Sequence, residues 1–145
     1  MLTHKMNPTD ALNFLFGGKA TLTVRNTNSS NRFTYQVKRA KGNNPNRPYF
    51  VSVMTGTDNE TSFTYLGTIF DEKNFVHGKK SRINKDADSY KVFEWLFGKL
   101  LNKTSFTTTE VWHEGCCARC GRKLTVPESI EHGYGPECFK FRVQR

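Results

Sequence analysis

The 145-residue chain has no cysteine before position 116 and no apolar run approaching the ~20 residues that span a bilayer. It is also short of acid. Each shortage excludes something. Without cysteine in its first 115 residues, the chain cannot staple a core with disulfides as small secreted proteins do. The apolar run Leu12 to Phe16 is too short for a signal peptide and has Asp10 before it. The expectation is a soluble, cytoplasmic protein with no membrane partner. The shortage of acid leaves a net charge of +9, with 16 Lys/Arg against 9 Asp/Glu in residues 1–112 and 6 against 4 in residues 113–145. Residues 25–47 and 73–85 contain no carboxylate at all. That excludes mimicry of DNA, which requires acid, and points to an anionic partner such as DNA or RNA.

Reactive motifs are missing too. The chain has no Gly-rich phosphate loop, no nucleophile elbow, no H-E-x-x-H and no H-x-E…P-C-x-x-C deaminase pattern. Glu114 beside His113 is the one suggestive neighbour, and no enzyme is expected.

Aromatic residues are plentiful. Phe alone contributes 12, enough for a real core. Thr9-Asp10, then Ala11 to Phe16 and Gly17-Gly18, read as a short helix capped by Thr9 or Asp10 and stopped at Gly17. Strands are expected over Lys19–Asn26 and Arg32–Lys38, joined by a polar loop, and over Tyr49–Thr55 and Ser62–Phe70. In the first, Leu22 and Val24 face one way and Thr21 and Thr23 the other; in the second, Phe33, Tyr35 and Val37 share a face. This period-2 pattern predicts an antiparallel sheet with one buried face. Asp86–Leu101 carries Tyr90, Phe93, Leu96, Phe97, Leu100 and Leu101 at helical spacing, a stripe suited to cover that face. Asp86 or Asp88 suits its cap, and Trp95 sits at the edge of the stripe. The chain is α+β: an antiparallel sheet packed by one amphipathic helix in residues 1–104, a connector at 105–112 and a small module at 113–145. Glu110-Val111-Trp112 reads as a last strand leading into that module.

The cysteines give the module its character. Cys117-x2-Cys120-Gly121 has knuckle spacing, and two thiolates on one tight turn can share an ion. Arg119, Arg122 and Lys123 beside them favour thiolate over thiol. Pro136 suits the start of a helix, which would place Cys138 in its first turn. A knuckle followed by a helix-borne ligand is a treble-clef-like zinc site, with a structural Zn2+. Phe141 stands where a second helical ligand would fall. The fourth ligand is therefore sought in His113, with Cys116 and His132 as alternatives; two local disulfides are the competing reading.

Cys117-x2-Cys-Gly-Arg-Lys-Leu-Thr-Val-Pro-Glu-Ser-Ile, then Gly133-Tyr-Gly-Pro-Glu-Cys138, resembles the carboxy-terminal module of an uncharacterised family, domain of unknown function 6011. Tyr49–Gly56 and Tyr65–Phe70 resemble its longer members. The resemblance implies a phage, plasmid or other mobile-element setting, and the Trp-His-Glu-Gly lead-in implies His113 rather than Cys116 as the ligand.

The functional expectation is a basic, zinc-containing nucleic-acid-binding accessory protein. Its contact residues would be Arg39, Lys41, Arg47, Lys79, Lys80, Arg82, Lys85, Arg119, Arg122 and Lys123. Tyr35, Tyr49, Phe50 and Tyr65 would offer stacking surfaces where they face solvent, but Phe33, Tyr35 and Tyr65 are expected in the core. The alternative is a phage-encoded inhibitor of a host defence complex that works by protein–protein binding.

Overall fold

Alternating side chains build the centre of the molecule. In the computed structural model, which describes residues 5–29, 31–55, 63–104, 106–124 and 133–140, Ala20, Leu22 and Val24 of β2 (Lys19–Asn26) are buried while Lys19 and Arg25 are exposed. Strand β3 (Arg32–Arg39) buries Tyr35 and Val37 on the same side. Strands β4 (Tyr49–Met54), β5 (Phe63–Phe70) and β6 (Asn74–His77) extend the sheet on one side. On the other lie β1 (Lys5–Met6) and β7 (Thr109–His113). Every pairing is antiparallel, in the order β1-β7-β2-β3-β4-β5-β6.

Two helices cover the buried face, where the sequence predicts one. Helix α1 (Pro8–Leu15) buries Ala11, Leu12, Phe14 and Leu15. Its cap is Asn7, whose side chain accepts the Asp10 N–H at 2.8 Å, and Pro8 occupies the first turn. The left-handed glycine after it is Gly18 (φ 119°), one residue beyond the expected stop. Helix α2 (Asp88–Leu101) buries Tyr90, Phe93, Leu96, Phe97 and Leu100. Ala87 is its N-cap and makes no side-chain cap bond, while Asp88 lies in the first turn. Tyr35 packs on Phe93 (5.0 Å) and donates its hydroxyl to Ser89 O at 2.6 Å, fastening β3 to α2. Full burial of each such large side chain is worth about 1.5–3 kcal/mol. Trp95 is 42% exposed, against Phe106 and beneath Lys99. Among the described residues no helix is long and apolar enough to cross a membrane.

The other face of the sheet is open. Its alignment depends on a bulge in β5. Val51 stands opposite Gly67 but Ser52 stands opposite Tyr65, so Leu66 is the extra residue. The bulge sends Leu66 into the core and turns Tyr65 to the open side. Phe50 (44% exposed), Phe70 (46%) and Val76 (50%) lie on that side as well.

The expected connector at 105–112 contains a sheet strand. Strand β7 lies between β1 and β2, with Val111 opposite both Met6 and Val24. The chain therefore enters the cysteine-rich segment from within the sheet.

Candidate metal centre

Just past β7, Gly115 adopts φ 79° and turns the chain into a short ribbon. Cys116 bridges Lys123, the Cys117 N–H donates to Arg122 O (2.8 Å), and the Leu124 N–H donates to Gly115 O (2.8 Å). The ribbon's turn closes where the Gly121 N–H reaches Cys117 O at 2.9 Å, with Gly121 at φ 80°. A side chain there would be strained, which is why the knuckle sequence ends in glycine. The third cysteine comes from α3 (Pro136–Phe139), with Gly135 as its N-cap.

These elements bring the sulfurs of Cys117, Cys120 and Cys138 within 4.8 Å of one another. A tetrahedral ion with metal–sulfur bonds of about 2.3 Å would hold thiolates about 3.8 Å apart, so the cluster can accept a metal with slight closure. All four cysteines are free thiols. Burial pushes the Cys117 thiol up, but N–H groups of Gly135, Cys120 and Arg119 aimed at its sulfur outweigh that and hold it below its ordinary range. Two of those bonds measure 3.3 Å (Gly135) and 3.4 Å (Arg119). Burial raises the Cys138 thiol, as do its sulfur neighbours, against the opposing pull of Arg119, whose Nη1 lies 3.6 Å from the sulfur. The surroundings of Cys117 thus favour anionic sulfur, and three cysteine sulfurs suit a soft or borderline ion.

His113, expected as the fourth ligand, is not gathered with the sulfurs. It shares the inward parity of Val111 at the end of β7 and is 1% exposed, with its ring stacked on Phe14 at 5.6 Å. Its Nδ1 accepts the Gly115 N–H at 2.9 Å. The parity of Val111 and His113 is a sequence signal for this inward position. Cys116 also stands outside the cluster, and His132 lies outside the described residues.

The ribbon is mounted on the sheet domain. Ala118 O accepts the Lys19 N–H (2.7 Å), and the Ala118 N–H donates to Gly133 O (2.8 Å). Tyr134 donates to Asn13 O at 2.6 Å. Gly17 passes so close to Ala118 that a Cβ there would lie 2.5 Å from the alanine's own. Cys117, Ala118, Leu124, Tyr134 and Cys138 belong to the same apolar core as α1 and β2.

The expected contact cations separate into two groups. Arg39 and Arg47 are turned inward on their own loop: Arg39 donates to Pro45 O and lies over the Tyr49 ring, while Arg47 donates to Asn44 O and Ala40 O. Lys41, Lys79, Lys80, Arg82, Lys85, Arg119, Arg122 and Lys123 are exposed. Of the aromatic candidates, Tyr35 and Tyr49 are core residues at 0% and 2% exposure, while Phe50 and Tyr65 meet edge to face on the open side.

Lys19, which lies outside the acid-free runs of the sequence, stands on that side with Arg25, Arg32 and Lys38 of the run 25–47. Lys19 pairs directly with Lys38 across β2 and β3, and Arg25 pairs with Arg32. Their signal was the outward phase of the strand alternation. Residues 108–140, from just before β7 to α3, match the profile of a family of unknown function (DUF6011). No curated protein and no solved structure matches the chain.

Proposed function

We propose that this is a small zinc-containing, nucleic-acid-binding accessory protein of a phage or other mobile element. The mobile-element setting rests on the family resemblance alone. Zinc is the metal that three thiolates on a knuckle and a helix suit best, and the arrangement is treble-clef-like. Its part is structural: it ties ribbon to helix with a free energy on the order of 10–16 kcal/mol, and the buried sulfurs are engaged by N–H donors.

The Lys19–Lys38 pair carries the nucleic-acid reading. Like charges directly opposite in a sheet destabilise it. Among the described residues, neither ammonium has an ion-pair partner, whereas Lys5 and Arg25 reach Glu110 at 3.2 and 3.7 Å. The pair adjoins the knuckle, because a Cβ built on Gly121 would lie 3.8 Å from Lys19 Cδ. Arg119, Arg122 and Lys123 thus continue the same basic rim. Two opposed ammonium groups lower their mutual repulsion by taking up phosphates.

The test is binding of the zinc-loaded protein to labelled oligonucleotides over a salt series. Affinity is expected to fall steeply with salt. Lys19→Ala/Lys38→Ala is expected to flatten the slope of log K against log salt by about 1.4–1.8, two phosphates' worth. Absence of binding to DNA and RNA at low salt would refute the reading. The second reading, an inhibitor of a host defence complex, draws on Phe50, Phe70 and Val76, apolar surface that a protein partner can also bury.

A further inference from the structure

We infer that the open face of the sheet takes single-stranded nucleic acid, with unpaired bases stacked on Phe50 and the adjoining phosphates held by Lys38 and Lys19. The inference rests on the nucleic-acid reading above and narrows it to one class of ligand.

Register places the parts. Lys19 faces Lys38, Lys38 faces Phe50, Phe50 faces Thr68, and Thr68 faces Val76. One straight line across five strands therefore runs from the basic knuckle, through two ammonium groups, to an aromatic ring and an apolar end. Neighbouring strands lie about 4.8 Å apart, so the lysines originate about 5 and 10 Å from Phe50. Their side chains can hold the backbone of the nucleotide whose base lies on the ring.

Phe50 is braced for that use. Its ring meets Tyr65 edge to face at 6.4 Å and 76°. Tyr65 is itself fixed, because its hydroxyl bonds Thr68 Oγ1 and its ring crosses Gly78, where an added Cβ would lie 2.2 Å from the ring. The β5 bulge turns Tyr65 outward to make this support. A 44% exposed phenylalanine on the open side of β4 contributes little to the core, and its hydrophobic area gains only when something covers it. Phe70, at 46% exposure, lies on the same side of β5.

The charge on this face is complementary to phosphate. Besides Lys19 and Lys38, the strand positions carry Lys5, Arg25 and Arg32. Among the described strand positions the one carboxylate is Glu110, paired with Lys5 and Arg25, and just past β7 Glu114 accepts from Thr23 Oγ1. Both lie toward the β7 side, away from Phe50. An apolar ring beside cations suits unpaired bases, because a duplex keeps the faces of its bases stacked within itself. A basic track with stacking aromatics is how sequence-tolerant single-strand binding is achieved.

The experiment compares a labelled single strand of about 12 nucleotides, within the range one such face covers, with a duplex of equal length, on the zinc-loaded full chain. The single strand is expected to bind at least about tenfold tighter. Phe50→Ala is expected to weaken single-strand binding about 5- to 150-fold, with duplex binding and the salt slope unchanged, and Phe50→Trp to restore it. Lys19→Ala/Lys38→Ala should weaken both ligands. The substitution at Phe50 is in an exposed side chain, and a thermal melt of each variant checks that the fold persists. Unchanged single-strand affinity in Phe50→Ala, or a duplex bound as tightly as the strand, would overturn the stacking platform while leaving the phosphate reading intact. No binding of either ligand at low salt would overturn both, and the face would then belong to a protein partner.

Discussion

A methyl group added at Gly133 would lie 2.4 Å from Cδ2 of Phe14, and Gly133 already holds φ at +78°. The close approach arises where the segment leading to α3 crosses the Phe14 ring on which His113 is stacked. Phe14 is fully buried, so its ring cannot swing aside as a surface lysine would. Gly133→Ala is therefore expected to destabilise the protein by about 2–4 kcal/mol, adding backbone strain to overpacking. Urea denaturation measures the loss. Combining it with Phe14→Leu, which opens space at the contact, should recover part of that loss, since directly touching sites do not add. Full additivity of the two changes would show that the ring is not the obstacle.

At the level of elements, Tyr35 shows how strand and helix are joined. Its hydroxyl leaves the sheet to reach Ser89 O in the first turn of α2 at 2.6 Å. Tyr35→Phe removes that bond and is expected to cost about 1 kcal/mol at neutral pH. Burial raises the ionisation of Tyr35 above its ordinary range. The sign follows directly. The unfolded tyrosine ionises near pH 10, before the folded one, so the stability from burying it neutral is full below pH 10 and is lost as pH rises beyond it. From about pH 10 to 11 the protein should lose about 1 kcal/mol more than Tyr35→Phe does. Equal losses in urea midpoints over that interval would contradict this. The strands around Tyr35 were legible because eight-residue runs show their period. Strand β1 has two residues and β6 four, too few to show one. The thiolate cluster was legible from spacing alone. The mounting of that cluster was hidden, because the threonines ahead of β7 look like linker and the reason for a strand at Val111 is a partner more than 80 residues away at Val24. Tyr65 as an outward residue was obscured by the bulge, which shifts the phase of alternation within β5.

At the scale of the whole molecule, the sequence sets residues 113–145 apart as a module, and the packing ties that segment to the sheet. Strand β7 continues into the cysteine ribbon without a linker and is the only neighbour of β1 among the described strands. The ribbon also bonds Lys19 at the start of β2 and, through Tyr134, the carbonyl of Asn13 in α1. By contrast, β3, β4 and β5 pair with no strand of the cysteine segment, although their Tyr35, Val51, Leu66 and Ile69, with Phe93 of α2, share its apolar core. The structural zinc proposed above would contribute on the order of 10–16 kcal/mol, comparable to the whole stability of a typical domain, about 5–15 kcal/mol. Chelation, or Cys120→Ser, is therefore expected to lower stability throughout and to release the nearest elements first. In hydrogen exchange, amides of β7, β1, α1 and the start of β2 should lose protection together with the ribbon, while β3 to β5 and α2 keep theirs longest. The loss would then cross from residues 109–140 into residues 5–26, on the far side of the boundary that composition suggests. Exchange that increases only within residues 113–140 would mean that the ribbon rests on the sheet without supporting it.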